Sequence, residues 1–283
     1  MKRSIFIALA ALAVAALACS PVAINIPRLE TGPTETITID EPIPTDVKVV
    51  DVEVRMGAGE LELGGGAEGL AEGAIKYNVP EWKPTITNAD GKLVIEQGHT
   101  DEGGVPEGDV INDWSLKLGD VPMNLTVDAG AYDGTLELGG LPLRNLTLNN
   151  GAATTEVTFD EANPEEMELF NVRTGASTVT LTGLANANFD EMSFEGGVGT
   201  YTLDFSGELQ RDASVKIKAG VSTVTIEIPS GTAAKVVVTG AVSNVATAGD
   251  WSVSSSTYET GGSGPTLTIT IELGVGSLTL VNK

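Results

Sequence analysis

One unit recurs through most of this chain: a short alternating segment, a glycine with small neighbours, then a second alternating segment. "NLTVDAGAYDGTLELGG" turns at Gly130, "NLTLNNGAATTEVTFDE" at Gly151 and "LFNVRTGASTVTLTGL" at Gly175. "MSFEGGVGTYTLDFSG" turns at Gly197, "SVKIKAGVSTVTIEIPSG" at Gly220 and "KVVVTGAVSNVATAG" at Gly240. An earlier copy, "DVEVRMGAGELELGGG", has Gly57, and the terminal "LTITIELGVGSLTLVNK" has Gly274. From Gly130 to Gly240 the steps are 21, 24, 22, 23 and 20 residues. A period near 22 with two short strands per unit marks a β-solenoid, whose units bury their apolar faces only by stacking on one another.

The alternation says which residues those faces hold. Before the glycines, Leu125 and Val127, Leu146 and Leu148, Met192 and Phe194, Val215 and Ile217, and Val236 and Val238 point one way. After them, Leu136 and Leu138, Val157 and Phe159, Val179 and Leu181, Leu203 and Phe205, and Ile226 and Ile228 do the same. A period of two places each set on one face of its strand, so stacked units form apolar columns inside a coil. Glycine suits the corner between the two strands, where the chain turns tightly and like corners stack closely. The glycine-rich "GGGAEG" and "GGVG" lack the following helix and lysine of a phosphate cradle.

Aromatics are only 5% of the chain against 41% hydrophobic residues, so Val, Leu, Ile and Ala must build the core. Residues 46–122 are less regular. "PTITNADGKLVIEQG" reads as a hairpin turning at Ala89-Asp90-Gly91, and the glycine- and acid-rich residues 98–113 read as a loop. The step from Gly240 to Gly274 is 34 residues. The intervening 247–265, with Trp251 and Tyr258, reads as a hairpin covering the last rung, because solenoid ends need caps. The expected fold is all-β: a single-chain β-solenoid over residues 123–283, preceded by a smaller β segment over 37–122.

Lys2 and Arg3 precede an apolar run, Ile5 to Leu17, of 13 residues. As a helix it would rise about 20 Å, short of a bilayer core of about 30 Å. A charged start, a short apolar run and small residues before a cut site describe a secretory signal peptide over residues 1–18. Ala16-Leu17-Ala18-Cys19 resembles the bacterial lipobox, which implies cleavage before Cys19 and a diacylglycerol on its thiol. Cys19 is the only cysteine, so it has no disulfide partner within the chain. Two acyl chains, at about 0.8 kcal/mol per buried CH₂, suffice for stable anchoring. Residues 19–36 then form the lipidated N-terminus and a proline-containing tether. The expected location is the extracytoplasmic side of a cell membrane, with membrane lipid as a partner through acylated Cys19.

The net charge is −23, and −25 without Lys2 and Arg3, so phosphate backbones would repel the chain and nucleic acid is excluded as a partner. His99, the one histidine, falls in "EQGHTDEGG" and reads as an exposed loop residue. One histidine and one acylated cysteine exclude Ser-His-Asp and Cys-His sites and ordinary zinc sites. The acidic groups Asp101-Glu102, Glu107-Asp109 and Asp160-Glu161-Glu165-Glu166 lack the spacing of known calcium loops and read as solvated. No catalytic residue, metal or cofactor is expected. Thr178-Val179-Thr180, Thr200-Tyr201-Thr202 and Thr223-Val224-Thr225 recur one unit apart and would stack as an outward threonine ladder. Such arrays on flat solenoids can bind ice, and threonine is also simply favoured in strands and in cross-strand pairs.

The Gly57 repeat, "EWKP", "DWSLKLGDVPMNLTVDAGAYDGTLELGGLPLRNLTLNNGA" and "GVGSLTL" resemble the bacterial toast-rack domain over residues 37–283. The resemblance implies a cell-envelope domain of unknown function, related to LiaF-type C-terminal domains and to adhesin-like β-solenoids, with no catalytic residues to carry over. The function expected is that of a membrane-anchored extracytoplasmic lipoprotein with a non-enzymatic binding, adhesion or scaffolding role. An envelope protein or a polysaccharide would be its partner. The competing classes are a carbohydrate-active β-solenoid enzyme and an envelope-stress sensor.

Overall fold

A computed structural model describes residues 28–99 and 104–283; Cys19, Asp101 and Glu102 lie outside them. The described chain opens with β1 (Arg28–Glu30), β2 (Glu35–Glu41), β3 (Val50–Ala67), β4 (Ala71–Tyr77), β5 (Thr85–Ala89) and β6 (Lys92–Glu96). Next come β7 (Val105–Glu107), β8 (Asn112–Gly119), β9 (Met123–Glu137), β10 (Leu143–Thr158), β11 (Met167–Thr182), β12 (Phe189–Asp204) and β13 (Ala213–Ile228). The last are β14 (Gly231–Ala248), β15 (Ser252–Ser254), β16 (Thr257–Thr260) and β17 (Gly262–Asn282). Each glycine-centred repeat forms one long strand that bends at its corner. The bent strands β3, β9, β10, β11, β12, β13, β17 and β14 pair in that order, all parallel. The all-β solenoid expected from the period is the fold.

The register turns alternation into columns. Leu125, Leu146, Phe170, Met192, Val215 and Ile269 stand one above another on one inner wall. Leu136, Val157, Leu181, Leu203, Ile226 and Leu280 do so on the other. Every one of these side chains is buried. The remaining side of the coil is made of connecting loops, held by buried polar groups rather than by strand pairing. There Asn163 Oδ1 accepts from the Leu143 amide at 3.1 Å, while its Nδ2 donates to the Leu143 and Ala187 carbonyls at 2.7 and 3.1 Å. One carboxamide thus ties three successive rungs and leaves none of its own bonds unmade.

The corner glycines Gly57, Gly130, Gly151, Gly175, Gly197, Gly220 and Gly274 form a ladder along one corner. A Cβ on Gly151, Gly175, Gly197, Gly220 or Gly274 would lie 2.5 to 2.9 Å from the carbonyl oxygen of the preceding corner glycine. The close approach of rung to rung, not a special backbone angle, therefore demands glycine here.

The order of the last rungs differs from the order in sequence. β17 inserts between β13 and β14, so Gly274 stands on Gly220, and β14 becomes the outermost rung. Gly240 is not part of the ladder: it has a φ of +87° and lies against Leu273. The 247–265 segment does form a hairpin, β15 with β16, and it covers the first half of β14. At the other end both halves of β3 are covered, Asp51–Arg55 by β6 and Glu60–Ala67 by β8. β5 and β6 form the expected hairpin, with Asp90 and Gly91 at positive φ. Residues 98–113 hold more than a loop, since β7 pairs with β1 and the start of β8 lies among them. Gly108 and Asp109 lie between β7 and β8.

Inside the corner a large side chain is fitted over a glycine of its own strand. The Tyr132 ring occupies the space that a side chain on Gly134 would need. Its hydroxyl donates to Asn150 Oδ1 at 2.8 Å and accepts from Thr155 at 3.3 Å. Burial pushes the Tyr132 phenol up to about 12 from an ordinary 10.0, and the Thr155 hydrogen bond pulls weakly the other way. The folded state therefore keeps this proton after the unfolded chain has lost it. The stabilisation is present in full below pH 10 and is lost as pH rises towards 12. Urea unfolding followed across this range should show stability falling with pH, and Tyr132→Phe should flatten that fall.

Candidate binding face

The sequence candidates for chemistry do not converge. His99 is exposed. Glu107, Asp109, Asp160 and Glu161 are exposed as well. Glu166 is held 2.8 Å from Arg211, whose hydrogen bond and charge lower its carboxyl below the usual range. Arg211 also reaches Asp190 at 3.9 Å, and Arg144 pairs with Glu168 at 3.6 Å. Among the described residues, no three or more His, Cys, Asp or Glu side chains are grouped to hold a metal ion, and no helix is long and apolar enough to cross a membrane.

A shallow depression of about 640 Å³ runs beside the glycine corner, lined by Asp128, Asn149, Arg173 and Glu195 among others. These four occupy one position on successive rungs. Asn149 donates to Asp128 at 2.6 Å and Arg173 pairs with Glu195 at 3.6 Å. Asp128 and Glu195 are separated by three strand spacings, about 14 Å. Glycoside hydrolysis needs two carboxyl groups about 5 to 10 Å apart, so these two do not form such a pair.

The outward face beyond the corner is different in kind. The register sets Thr178, Thr200, Thr223 and Ser277 in one column and Thr180, Thr202, Thr225 and Thr279 in the next. Ala176, Val198, Val221 and Val275 form a third column, nearest the corner. The three valines are 56 to 58% exposed, although each is a large apolar side chain. No register shift interrupts these rungs, so the twelve positions form a regular grid. Neighbouring rungs are about 4.8 Å apart, and successive outward residues along a strand about 6.6 Å.

None of the twelve side chains is charged, on a chain of net charge −23. Charge resumes at the borders: Glu156 precedes Thr180 in its column, and Asp204 and Glu227 follow Thr202 and Thr225 along their strands. The expected threonine ladder is therefore present and longer than the sequence order indicated. Chain order, in which Gly274 follows Gly240, hides the fourth rung, Ser277 and Thr279, because β17 stacks directly on β13. The signal lay in the hexapeptides: Gly220-Val221-Ser222-Thr223-Val224-Thr225 matches Gly274-Val275-Gly276-Ser277-Leu278-Thr279. Residues 240–245 do not match it.

The chain matches the family described as the N-terminal domain of toast_rack, DUF2154, over residues 28–182 and again over 167–227. A solved candidate cell adhesion protein from Clostridium sporogenes is 22% identical; the alignment covers 89% of this chain and 99% of that one, with a TM-score of 0.46. A candidate adhesin from Bacteroides fragilis is 10% identical with the same coverage, 89% and 99%, and a TM-score of 0.41. A candidate lipid binding protein from Parabacteroides distasonis is 12% identical, again over 89% and 99%, with a TM-score of 0.40. No curated protein matches the chain.

Proposed function

This chain belongs to the family of the toast-rack N-terminal domain, and from that premise we propose that it is an extracytoplasmic lipoprotein whose solenoid is a non-enzymatic binding module. Acylated Cys19 holds it to the membrane, and the Val/Thr grid engages an uncharged, repetitive partner, an envelope polysaccharide. The observation that carries this reading is the charge-free grid on a strongly acidic body. A partner with charged groups would gain nothing there, whereas a neutral polymer meets methyl groups for its apolar faces and hydroxyls for its own hydroxyls. Repeats at fixed spacing favour a ligand that is itself repetitive, because each further unit adds a contact without a new search.

The experiment has two arms. Full-length protein is incubated with insoluble neutral polysaccharides, cellulose and β-glucan, and the retained fraction is measured. The double variant Thr200→Glu and Thr223→Glu faces outward and should fold normally. Burying an unpaired carboxylate against a neutral polymer is costly, so retention should fall about tenfold or more. Retention that is absent in the wild type, or equal in the variant, would overturn the role of the grid. In the second arm, Cys19→Ser should move the protein from the membrane fraction to the soluble fraction. Unchanged membrane retention would remove the anchor.

A further inference from the structure

The two ends of the stack are finished differently. At the first rung both halves of β3 are covered, and even the corner is plugged. Gln97 Oε1 accepts from the Gly57 amide at 2.9 Å and from Asn112 Nδ2 at 2.9 Å, and Trp114 Nε1 donates to Asn112 Oδ1 at 2.9 Å. Beyond that cover lie two edge strands: β2, where Glu35, Asp40 and Glu41 discourage further pairing, and the short β5, whose Asn88 Nδ2 donates to Glu41 Oε2 and to the Pro42 carbonyl at 3.1 and 3.2 Å. At the last rung the cover stops halfway. The Val238 amide donates to the Ser256 carbonyl at 2.9 Å. After it, among the described residues, Asn244 to Ala248 pair with β17 on one side only. The core columns feel the difference: Leu278 and Leu280 are fully buried, but Val245 above Leu278 is half-buried and Thr247 above Leu280 is exposed.

We propose that this open half-rung is the site of tail-to-tail self-association, in which β14 of one copy pairs antiparallel with β14 of a second copy about a two-fold axis near Ala246. Unpaired backbone N–H and C=O groups call for an extended strand as occupant. Charge selects which strand. Residues 28–122 carry twenty acids against seven bases, whereas residues 229–283 carry Asp250, Glu259 and Glu272 against Lys235 and Lys283. Two copies of this acidic chain can therefore approach through their last rungs without adding acid to acid, and the first-rung end cannot serve as the complementary surface. The run Asn244-Val245-Ala246-Thr247-Ala248 has no charge and no proline, so its own antiparallel copy meets no repulsion. Trp251, which donates to the Ala248 carbonyl at 3.1 Å, flanks the ladder.

The Ala248 carbonyl is taken by Trp251, so the ladder is the four residues Asn244 to Thr247, a small interface of the class used by transient contacts. Its setting makes that useful. Strand β1 joins the capped end, where the Gly32 amide donates to the Asn78 carbonyl at 2.6 Å, and Cys19 lies upstream of it. With the anchor at the capped end, the open edge points away from the membrane, so pairing would join molecules on facing membranes. This orientation rests on the lipid-anchor reading above; the pairing itself does not.

The full chain carrying Cys19→Ser is followed by sedimentation equilibrium at physiological salt, and lipidated wild-type chain is followed by clumping of phosphatidylcholine vesicles. A concentration-dependent dimer is expected. Ala246→Lys places like charges opposite each other and should weaken the dimer about tenfold or more. Ala246 faces outward and is exposed, so the fold is kept, as circular dichroism would verify. An equimolar mixture of Ala246→Lys and Ala246→Glu should dimerise again. A monomer at all concentrations, or a dimer indifferent to Ala246→Lys, overturns the proposal. A dimer in solution that does not clump vesicles overturns the facing-membrane orientation and leaves the edge pairing in place.

Discussion

Gly175→Ala is expected to cost about 2–3 kcal/mol of stability, a value typical of forcing extra atoms into a packed interior. The added Cβ would sit 2.6 Å from the Gly151 carbonyl oxygen, where a carbon and an oxygen ordinarily keep about 3.3 Å or more. Neither side can yield easily, because both are backbone atoms inside the β10–β11 ladder, which is in register on both sides of the corner. The rungs must spread and lengthen their hydrogen bonds. In a chain of this size each kcal/mol lowers the thermal midpoint by about 2–4 °C. Because rungs contact only their neighbours, a weak junction in mid-stack should also separate the melt into two transitions. Gly261→Ala is the control: its Cβ would meet nothing within 4 Å, so its effect should stay within about 0.5 kcal/mol. Thermal and urea unfolding of both variants checks this, and a Gly175→Ala protein as stable as wild type would contradict the steric account of the ladder.

Phe170→Ala should have the larger effect, about 3–5 kcal/mol. The Phe170 ring is fully buried and stands edge-on to two others, 5.8 Å from Phe159 and 6.4 Å from Phe189, each at 69°. The three rings join the β10, β11 and β12 rungs across the inner wall and the loop side. Truncation removes the largest side chain of its column and leaves a cavity that rigid ladders on both sides cannot collapse. Phe170→Leu should recover most of the loss, since Leu146 and Met192 occupy the same column above and below. What it does not recover is the pair of aromatic contacts, worth about 0.5–1.5 kcal/mol each. Urea midpoints of the two variants measure the difference. A Phe170→Leu midpoint equal to that of wild type would mean that the aromatic geometry adds nothing beyond volume.

The rung was legible because its determinants are local. Leu146, Leu148, Val157 and Phe159 alternate around Gly151, and the structure buries all four. The same holds around Gly220, with Val215, Ile217, Ile226 and Ile228. The grid was legible in part: Thr178 to Thr225 announced three of its rungs, but a column of exposed valines did not register as a surface feature. Val198, Val221 and Val275 follow corner glycines, and only the strand register shows that they share a column facing solvent. The cap was the hardest to read. Gln97 and Asn112 act by replacing a missing rung at the Gly57 corner, and no spacing in the chain relates them to it.

By itself, then, the sequence determined the unit: two alternating strands, a glycine corner and an apolar interior, all specified within about 22 residues by side-chain period and the small size of glycine. Tertiary structure alone decided the order of the units. A parallel strand pairs with whichever neighbour matches its columns, and loop closure makes a skipped rung cheap, growing only slowly with loop length. β17 matches β13 at the corner and across the grid, so it displaces β14 from the place that chain order would assign to it. That one exchange completes the fourth rung of the charge-free grid and leaves the second half of β14 as an open edge.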